Sequence, residues 1–244
     1  MKISKMEKSL LQFKKDLESI GITLTEKQLN QFIRYYELLI EWNEKINLTA
    51  ITEFDEVCKK HFVDSLSFVK VSDIKQEFSL IDVGTGAGFP GIPIKILFPN
   101  CKLTLLDSLQ KRINFLQLVV EELEFSDVEF YHGRAEDFAK PGKLRECYDI
   151  VVSRAVANLS SLCELCIPYV KTGGYFISYK GDKAEEEIHQ AQNAITLLGG
   201  KLEESISFQL PETDYERCLV VIKKEKATPG KYPRKAGTPV KQPL

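Results

Sequence analysis

The stretch Leu80-Ile81-Asp82-Val83-Gly84-Thr85-Gly86-Ala87-Gly88-Phe89-Pro90-Gly91 constrains this 244-residue chain more than any other. An apolar run ends on an acid and a hydrophobe, enters a glycine-dense turn, and leads into a helix-like segment. Parallel α/β sheets build nucleotide-cofactor sites this way, because only glycine lets backbone come so close to a ligand. The spacing narrows the choice of cofactor. A dinucleotide fingerprint starting at Gly84 requires glycine at position 89, and that position is phenylalanine. Phe89 therefore argues against a nicotinamide enzyme.

From about residue 78 the chain alternates β-like and helical runs. Strand-like runs fall at Ser79–Val83, Lys102–Asp107, Val128–His132, Tyr148–Ser153, Tyr175–Tyr179, Ser205–Leu210 and Cys218–Lys223. Helical runs lie near Pro90–Leu97, Leu109–Leu123, Leu159–Val170 and Lys183–Leu198, and Gly173-Gly174 makes a turn into the fifth strand. Strands separated by helices imply βαβ units and a parallel sheet. The short last connection implies an antiparallel hairpin, since a parallel return needs a longer crossover. The fold class is α/β: a mostly parallel seven-stranded sheet with a C-terminal antiparallel hairpin.

Residues 1–75 read as an N-terminal helical appendage to a main domain over 76–225. Thr25-Glu26-Lys27-Gln28 is a capping-box pattern. Behind it Leu29, Phe32, Ile33, Tyr36, Leu39 and Ile40 recur at helical spacing, an apolar stripe that must bury against something. Trp42–Thr49 ends that helix, and Lys59–Leu66 begins or continues another. Residues 226–244 differ in kind: Lys226, Lys231, Arg234, Lys235 and Lys241 stand among four prolines and two glycines, with no acid. Such a segment cannot fold alone. It is either a disordered, solubilising end or a basic arm that orders on a phosphate backbone.

A hydrophobic content of 43% and a charged content of 28% fit a soluble globular protein. No apolar run approaches the length of a membrane span, and Met1–Lys8 lacks the apolar core of a secretion signal. The expected location is cytoplasmic, with no membrane partner and no obligate protein partner. Cys58, Cys101, Cys147 and Cys218 are scattered, and the Cys163-x-x-Cys166 pair has no second pair to complete a zinc site. His61, His132 and His189 show no ligand spacing, so no metal is expected. The net charge of −2 does not announce a nucleic-acid binder, although it hides the basic tail.

The candidate cofactor residues follow the strand ends. Asp82 ends the first strand, and Gly84, Gly86 and Gly88 form the turn after it. Phe89 either lines the pocket or packs the following helix. Asp107 ends the second strand about twenty residues past the loop, where an acid can accept from both ribose hydroxyls or instead cap the next helix. Arg154 follows the fourth strand and must reach a carboxylate or a ligand, since arginine is almost never buried unpaired. No Asn/Asp-Pro-Pro-aromatic tetrad follows that strand, and no Pro-Cys nucleophile is present there.

The G-x-G-x-G loop is similar to that of S-adenosylmethionine-dependent methyltransferases, whose cofactor has no pyrophosphate to cradle. These enzymes commonly set a polar residue against the adenine edge after the third strand, where Ala135-Glu136 stands. A closer likeness rests on Asp82–Pro93, Leu105–Arg112, Ala135-Glu136 and Ser153-Arg154-Ala155, with Trp42-Asn43…Asn47-Leu48-Thr49 and His61…Asp64-Ser65-Leu66 before them. On these residues the chain resembles the bacterial RsmG (GidB) methyltransferases, which modify guanine N7 in 16S ribosomal RNA. The resemblance implies a Rossmann-like class I methyltransferase fold, S-adenosyl-L-methionine as cofactor, and 16S ribosomal RNA in the small subunit or its precursor as partner. It carries cofactor contacts onto Gly84, Phe89, Ala135, Glu136 and Arg154.

Guanine N7 has an in-plane lone pair and no proton, so no side chain is expected to act as a general base. Candidate RNA contacts are Lys59, Lys60, Lys111, Arg112, Arg154, Lys231, Arg234 and Lys235, and the positive surface required is expected to include Lys143 and Arg145 as well. Two rival readings remain at this level: a cofactor-binding assembly factor without catalysis, and a methyltransferase with a small-molecule or protein acceptor.

Overall fold

In the computed structural model, which describes residues 5–72, 77–154 and 157–244, the strands are β1 (Ser79–Val83), β2 (Lys102–Asp107), β3 (Val128–His132), β4 (Tyr148–Arg154), β5 (Val170–Lys180), β6 (Gly200–Gln209) and β7 (Glu216–Lys224). They form one sheet in the order β3-β2-β1-β4-β5-β7-β6. β1 to β5 pair parallel, and β7 runs antiparallel to both β5 and β6. This is the expected mostly parallel sheet with its terminal hairpin. The order reverses between β1 and β4, so the crevice beyond their carboxyl ends is where such a sheet binds ligands. β1 and β4 are nearly continuous apolar runs because both of their faces are covered, whereas β6 at the edge alternates half-buried and exposed residues.

β5 is longer than its sequence suggests. Gly173-Gly174 lies inside the strand, where the pairing with β4 slips between Tyr148 and Ile150. A Cβ on Gly174 would sit 2.5 Å from the Asp149 carbonyl oxygen. The glycines thus mark an irregularity in a strand, a role glycine often fills, and not the turn before it.

Helices α1 (Lys5–Ser19) and α2 (Glu26–Ile46) lead into a bent segment. It comprises α3 (Phe54–Val57), a π-helical turn (Cys58–Val63), α4 (Asp64–Leu66) and a 3₁₀ turn (Ser67–Lys70). Thr25 caps α2 with the reciprocal bonds of a capping box: its Oγ1 accepts from the Gln28 N–H, and its own N–H donates to Gln28 Oε1 at 2.9 Å. Thr25→Ala should therefore cost about 1 kcal/mol, read as a lower urea midpoint at unchanged slope. An unchanged midpoint would mean the cap contributes nothing.

The buried face of α2 is Phe32, Tyr35, Leu38 and Leu39. It is rotated from the expected stripe, because Tyr35 points inward to donate to the Ala87 carbonyl at 2.6 Å, leaving Ile33, Tyr36 and Ile40 half-buried. Phe13, Phe32, Tyr35 and Phe62 share one core with Phe89, Ile92 and Leu105 from the sheet side. The division expected at 75/76 falls on residues outside those described.

α5 (Gly91–Leu97), α6 (Gln110–Glu122), α7 (Ala135–Phe138), α8 (Leu159–Cys166) and α9 (Ala184–Leu197) complete the layers, and α10 (Thr238–Lys241) lies in the tail. Cys163 and Cys166 are fully buried in α8, where burial pushes both thiols up. No helix among the described residues is long and apolar enough to cross a membrane.

The tail corrects an expectation. Residues 226–244 are neither a loose end nor an arm awaiting RNA; they are a strap folded onto the domain. Arg234 donates to both carboxylate oxygens of fully buried Glu164, with Nη2 at 2.6 Å from Oε2. Arg145 donates to the carbonyls of Thr228 at 2.5 Å and Tyr232 at 2.7 Å, and Tyr232 is itself buried. Ser161 and Ser160 donate to the carbonyls of Pro239 and Leu244, each at 2.8 Å. The composition argument holds only for a segment folding alone. Here the main domain supplies the buried acid that the tail lacks and donors for the tail's carbonyls.

Candidate functional site

The strand ends and the strap enclose a cavity of about 880 Å³, within the usual range for small-molecule sites. Gly84, Gly86, Phe89, Asp107, Ala135, Glu136 and Arg154 line it together. Two other candidates do not. Asp82 is fully buried beneath the loop, where its Oδ2 accepts from the Thr85 hydroxyl at 2.8 Å and the Gly91 N–H at 2.9 Å. Burial pushes its pKa up to about 7 against those hydrogen bonds, and Oδ1 has no partner. A Cβ on Gly88 would fall 2.7 Å from Ile92 Cγ1 and 2.8 Å from the Tyr35 hydroxyl. Asp82 and Gly88 thus shape the loop from behind instead of lining the cavity. Ala155 lies outside the described residues.

Asp107 is buried at the end of β2 and already in use. Its Oδ1 accepts from the Leu109 N–H at 2.9 Å, and Oδ2 from the Gly86 N–H at 2.9 Å and Arg112 Nη1 at 3.3 Å. Asp107 faces the cavity and braces the turn before α6, whose N-cap is Leu109 with no side-chain cap. A carboxylate has about four acceptor sites, so two vicinal hydroxyls can be accepted only if the longer Arg112 contact gives way. Glu136 is buried too, and its Oε1 accepts from the Gly237 N–H of the strap at 2.7 Å. Ala236, Gly237, Val240 and Lys241 thereby become cavity wall.

Opposite stands a cluster that joins Phe89 and Arg154 to three residues without a role assigned from sequence, His61, Asp64 and Arg217. His61, from the π-helical turn, stacks on Phe89 with ring centroids 4.6 Å apart, and the Arg154 guanidinium lies 5.0 Å from the same ring. Arg154 Nη1 donates to Asp64 Oδ2 at 2.8 Å, and Arg217 Nε donates to Asp64 Oδ1 at 3.0 Å. One buried carboxylate thus holds two arginines. The Arg154 partner comes from 90 residues away in the chain, which no local pattern reveals. Phe89 lines the cavity and packs the helix layer as well, so its two readings are one placement.

Burial and the Arg154 charge push the His61 pKa down to about 3, so the ring is neutral at physiological pH. Both ring nitrogens of His61 are engaged: Nε2 lies 2.9 Å from Thr49 Oγ1, and Nδ1 lies 3.2 Å from Arg154 Nη2 and 3.1 Å from the Lys60 carbonyl oxygen. The unfolded chain takes up a proton near pH 6.5, whereas the folded ring resists until about 3. The resulting stability is complete above 6.5 and is lost as pH falls toward 3. His61→Asn should flatten the decline in melting temperature between about pH 6.5 and 4. Parallel curves for parent and variant would contradict a buried neutral ring.

The RNA candidates are dispersed. Lys111, Lys231 and Lys235 are exposed, and Lys59 and Lys60 reach Glu212 and Glu56. Arg234 pairs with Glu164 and anchors the strap.

Residues 28–215 match the family model described as rRNA small subunit methyltransferase G. A protein of Lachnoclostridium phytofermentans named ribosomal RNA small subunit methyltransferase G is 56% identical over 232 residues, covering 95% of this chain and 96% of the relative. A Bacillus cereus protein of the same name is 56% identical and covers 96% and 98%. Among solved structures, one chain of a complex containing the Haloferax volcanii Trm112 methyltransferase activator superposes with a TM-score of 0.57 at 13% identity, covering 77% of this chain and 98% of that one. That likeness concerns the fold alone.

Proposed function

The chain belongs to the rRNA small subunit methyltransferase G family, and we propose that it transfers a methyl group from S-adenosylmethionine to N7 of a guanine in 16S ribosomal RNA. The observation that carries this reading is the cavity at the switch point, lined by a glycine loop, two buried acids and an arginine.

The lining suits that cofactor. The positive φ of Gly84 and Gly86 (74° and 63°) turns the loop tightly enough for close backbone approach. Asp107 would hold the ribose once Arg112 yields, Ala135 and Glu136 would meet the adenine, and Phe89 with Arg154 would border the reacting end. The cofactor supplies an electrophilic methyl on a sulfonium sulfur.

The chain's own task is orientation. N7 attacks with a lone pair and loses no proton, so no side chain need move one, and alignment alone can supply several kcal/mol. His61 fits that view, since its ring stays neutral and braced between Thr49 and Arg154. Guanine N7 lies on the major-groove edge, closed to side chains in a regular RNA helix, so the target base must be unpaired or distorted.

Arg154→Lys keeps a charge beside Asp64 but loses the fork. It should raise KM for cofactor or RNA by roughly tenfold, about the value of one charge-assisted hydrogen bond, with kcat nearly unchanged. A collapse of kcat with both affinities intact would show that Arg154 takes part in the chemical step.

A further inference from the structure

A second cavity, of about 570 Å³, adjoins the first and shares His61 and Arg154 with it. Its lining carries four cations, Lys60, Arg154, Lys180 and Arg217, against Asp64 and Glu187, and Glu56 pairs Lys60 from outside the cavity, which leaves one cation in excess. The sign is opposite to that of the whole chain, whose net charge is −2. A positive surface of this kind tracks a phosphate backbone.

Next to it stands an aromatic ring that the fold covers only in part. Tyr215, at the end of the β6–β7 connection, is 44% exposed. Two of the cavity's cations lie on its ring: Lys60 Nζ is 4.7 Å from the centroid and Arg217 Cζ 5.8 Å. The ring's mount is fixed. The Tyr215 carbonyl accepts from the Leu210 N–H at 3.0 Å, and its N–H donates to Thr213 Oγ1 at 3.1 Å. Lys59 ties the same loop to the π-helical turn through Glu212, at 3.6 Å. A large exposed aromatic on a braced loop loses little freedom when a partner covers it.

We propose that Tyr215, with Lys60 and Arg217 against its ring, is a stacking platform for an unpaired base of the RNA beside the one that is methylated. Single-stranded nucleic acid is held by this pairing of features, cations for the backbone and an aromatic face for a base. The face binds without regard to sequence, because every base has a π surface. The proposal rests on the RNA-acceptor reading and adds to it a contact that no strand-end motif supplies. Lys60, already a candidate from sequence, gains a defined place in it; Arg217 and Tyr215 are new.

The test is methyl transfer by the full chain to small ribosomal subunits from cells lacking the enzyme, with KM for subunits and for cofactor measured separately. Tyr215→Ala and Tyr215→Leu should raise KM for subunits by roughly 5- to 150-fold, the range one base–aromatic stack supplies. The cofactor KM and the melting temperature should not move. Tyr215→Phe and Tyr215→Trp keep a π face and should stay within about twofold of the parent. Subunit KM unchanged in Tyr215→Ala would overturn the platform and leave the acceptor reading intact. A loss in Tyr215→Phe equal to that in Tyr215→Ala would overturn it too, by assigning the effect to the hydroxyl. No transfer by the parent protein would overturn the acceptor reading and the platform with it.

Discussion

Arg234→Ala is expected to destabilise the protein by about 3 kcal/mol, the low end of the range for removing one partner of a buried ion pair. Glu164 is fully buried, and Arg234 retains 27% side-chain exposure, so part of the loss is made good by water. For a chain of this size the change lowers the melting temperature by roughly 6–12 °C. The larger consequence is local. Glu164 then keeps only the Arg234 backbone N–H, and the loosened strap holds Gly237 against Glu136 and three further residues of the cavity wall less firmly. S-adenosylhomocysteine should then bind more weakly, and limited proteolysis should cut after Lys231 or Lys235. Replacing the pair together, Glu164→Leu with Arg234→Met, should recover much of the stability, because the desolvated charge is gone. A single variant with parental stability and a protected tail would contradict the anchoring role.

Gly88→Val should be worse than any change at Gly86. At Gly88, φ is +102° and a Cβ would overlap Ile92, Leu116 and the Tyr35 hydroxyl, all within 2.8 Å. Backbone strain and overpacking each cost about 1–3 kcal/mol. The Tyr35 bond to the Ala87 carbonyl should break, releasing the loop from α2. At Gly86, φ is +63° and a Cβ meets nothing within 4 Å, so Gly86→Ala should cost only about 1–2 kcal/mol. The expected outcome is a folded Gly86→Ala with weakened cofactor binding and a Gly88→Val that neither binds nor accumulates. Equal behaviour of the two would mean that the back of the loop is not packed as described.

The sheet was legible because its signals are local. Strands buried on both faces read as apolar runs, and the boundaries of β1, β2 and β3 follow from the sequence without revision. β5 did not, since a glycine pair serves a turn and a strand irregularity equally well until the partner strand is known. The glycine loop and Asp107 were legible for the same local reason. Sequence alone could not separate the glycine that faces the cavity from the one that packs behind it; that depends on Tyr35, some fifty residues earlier. His61 and Asp64 were visible only as part of a family likeness, because their partner Arg154 lies on another element. The tail was misjudged for a related reason: its composition predicts behaviour in isolation, and Glu164 and Arg145, which fold it down, belong to other segments.

The measurement that bears most directly on the proposed activity uses labelled S-adenosylmethionine and small ribosomal subunits from cells lacking this protein. Label should enter 16S RNA and be recovered, after digestion to nucleosides, as 7-methylguanosine. Label in any other nucleoside, or none in RNA from a protein that binds S-adenosylhomocysteine, would contradict it.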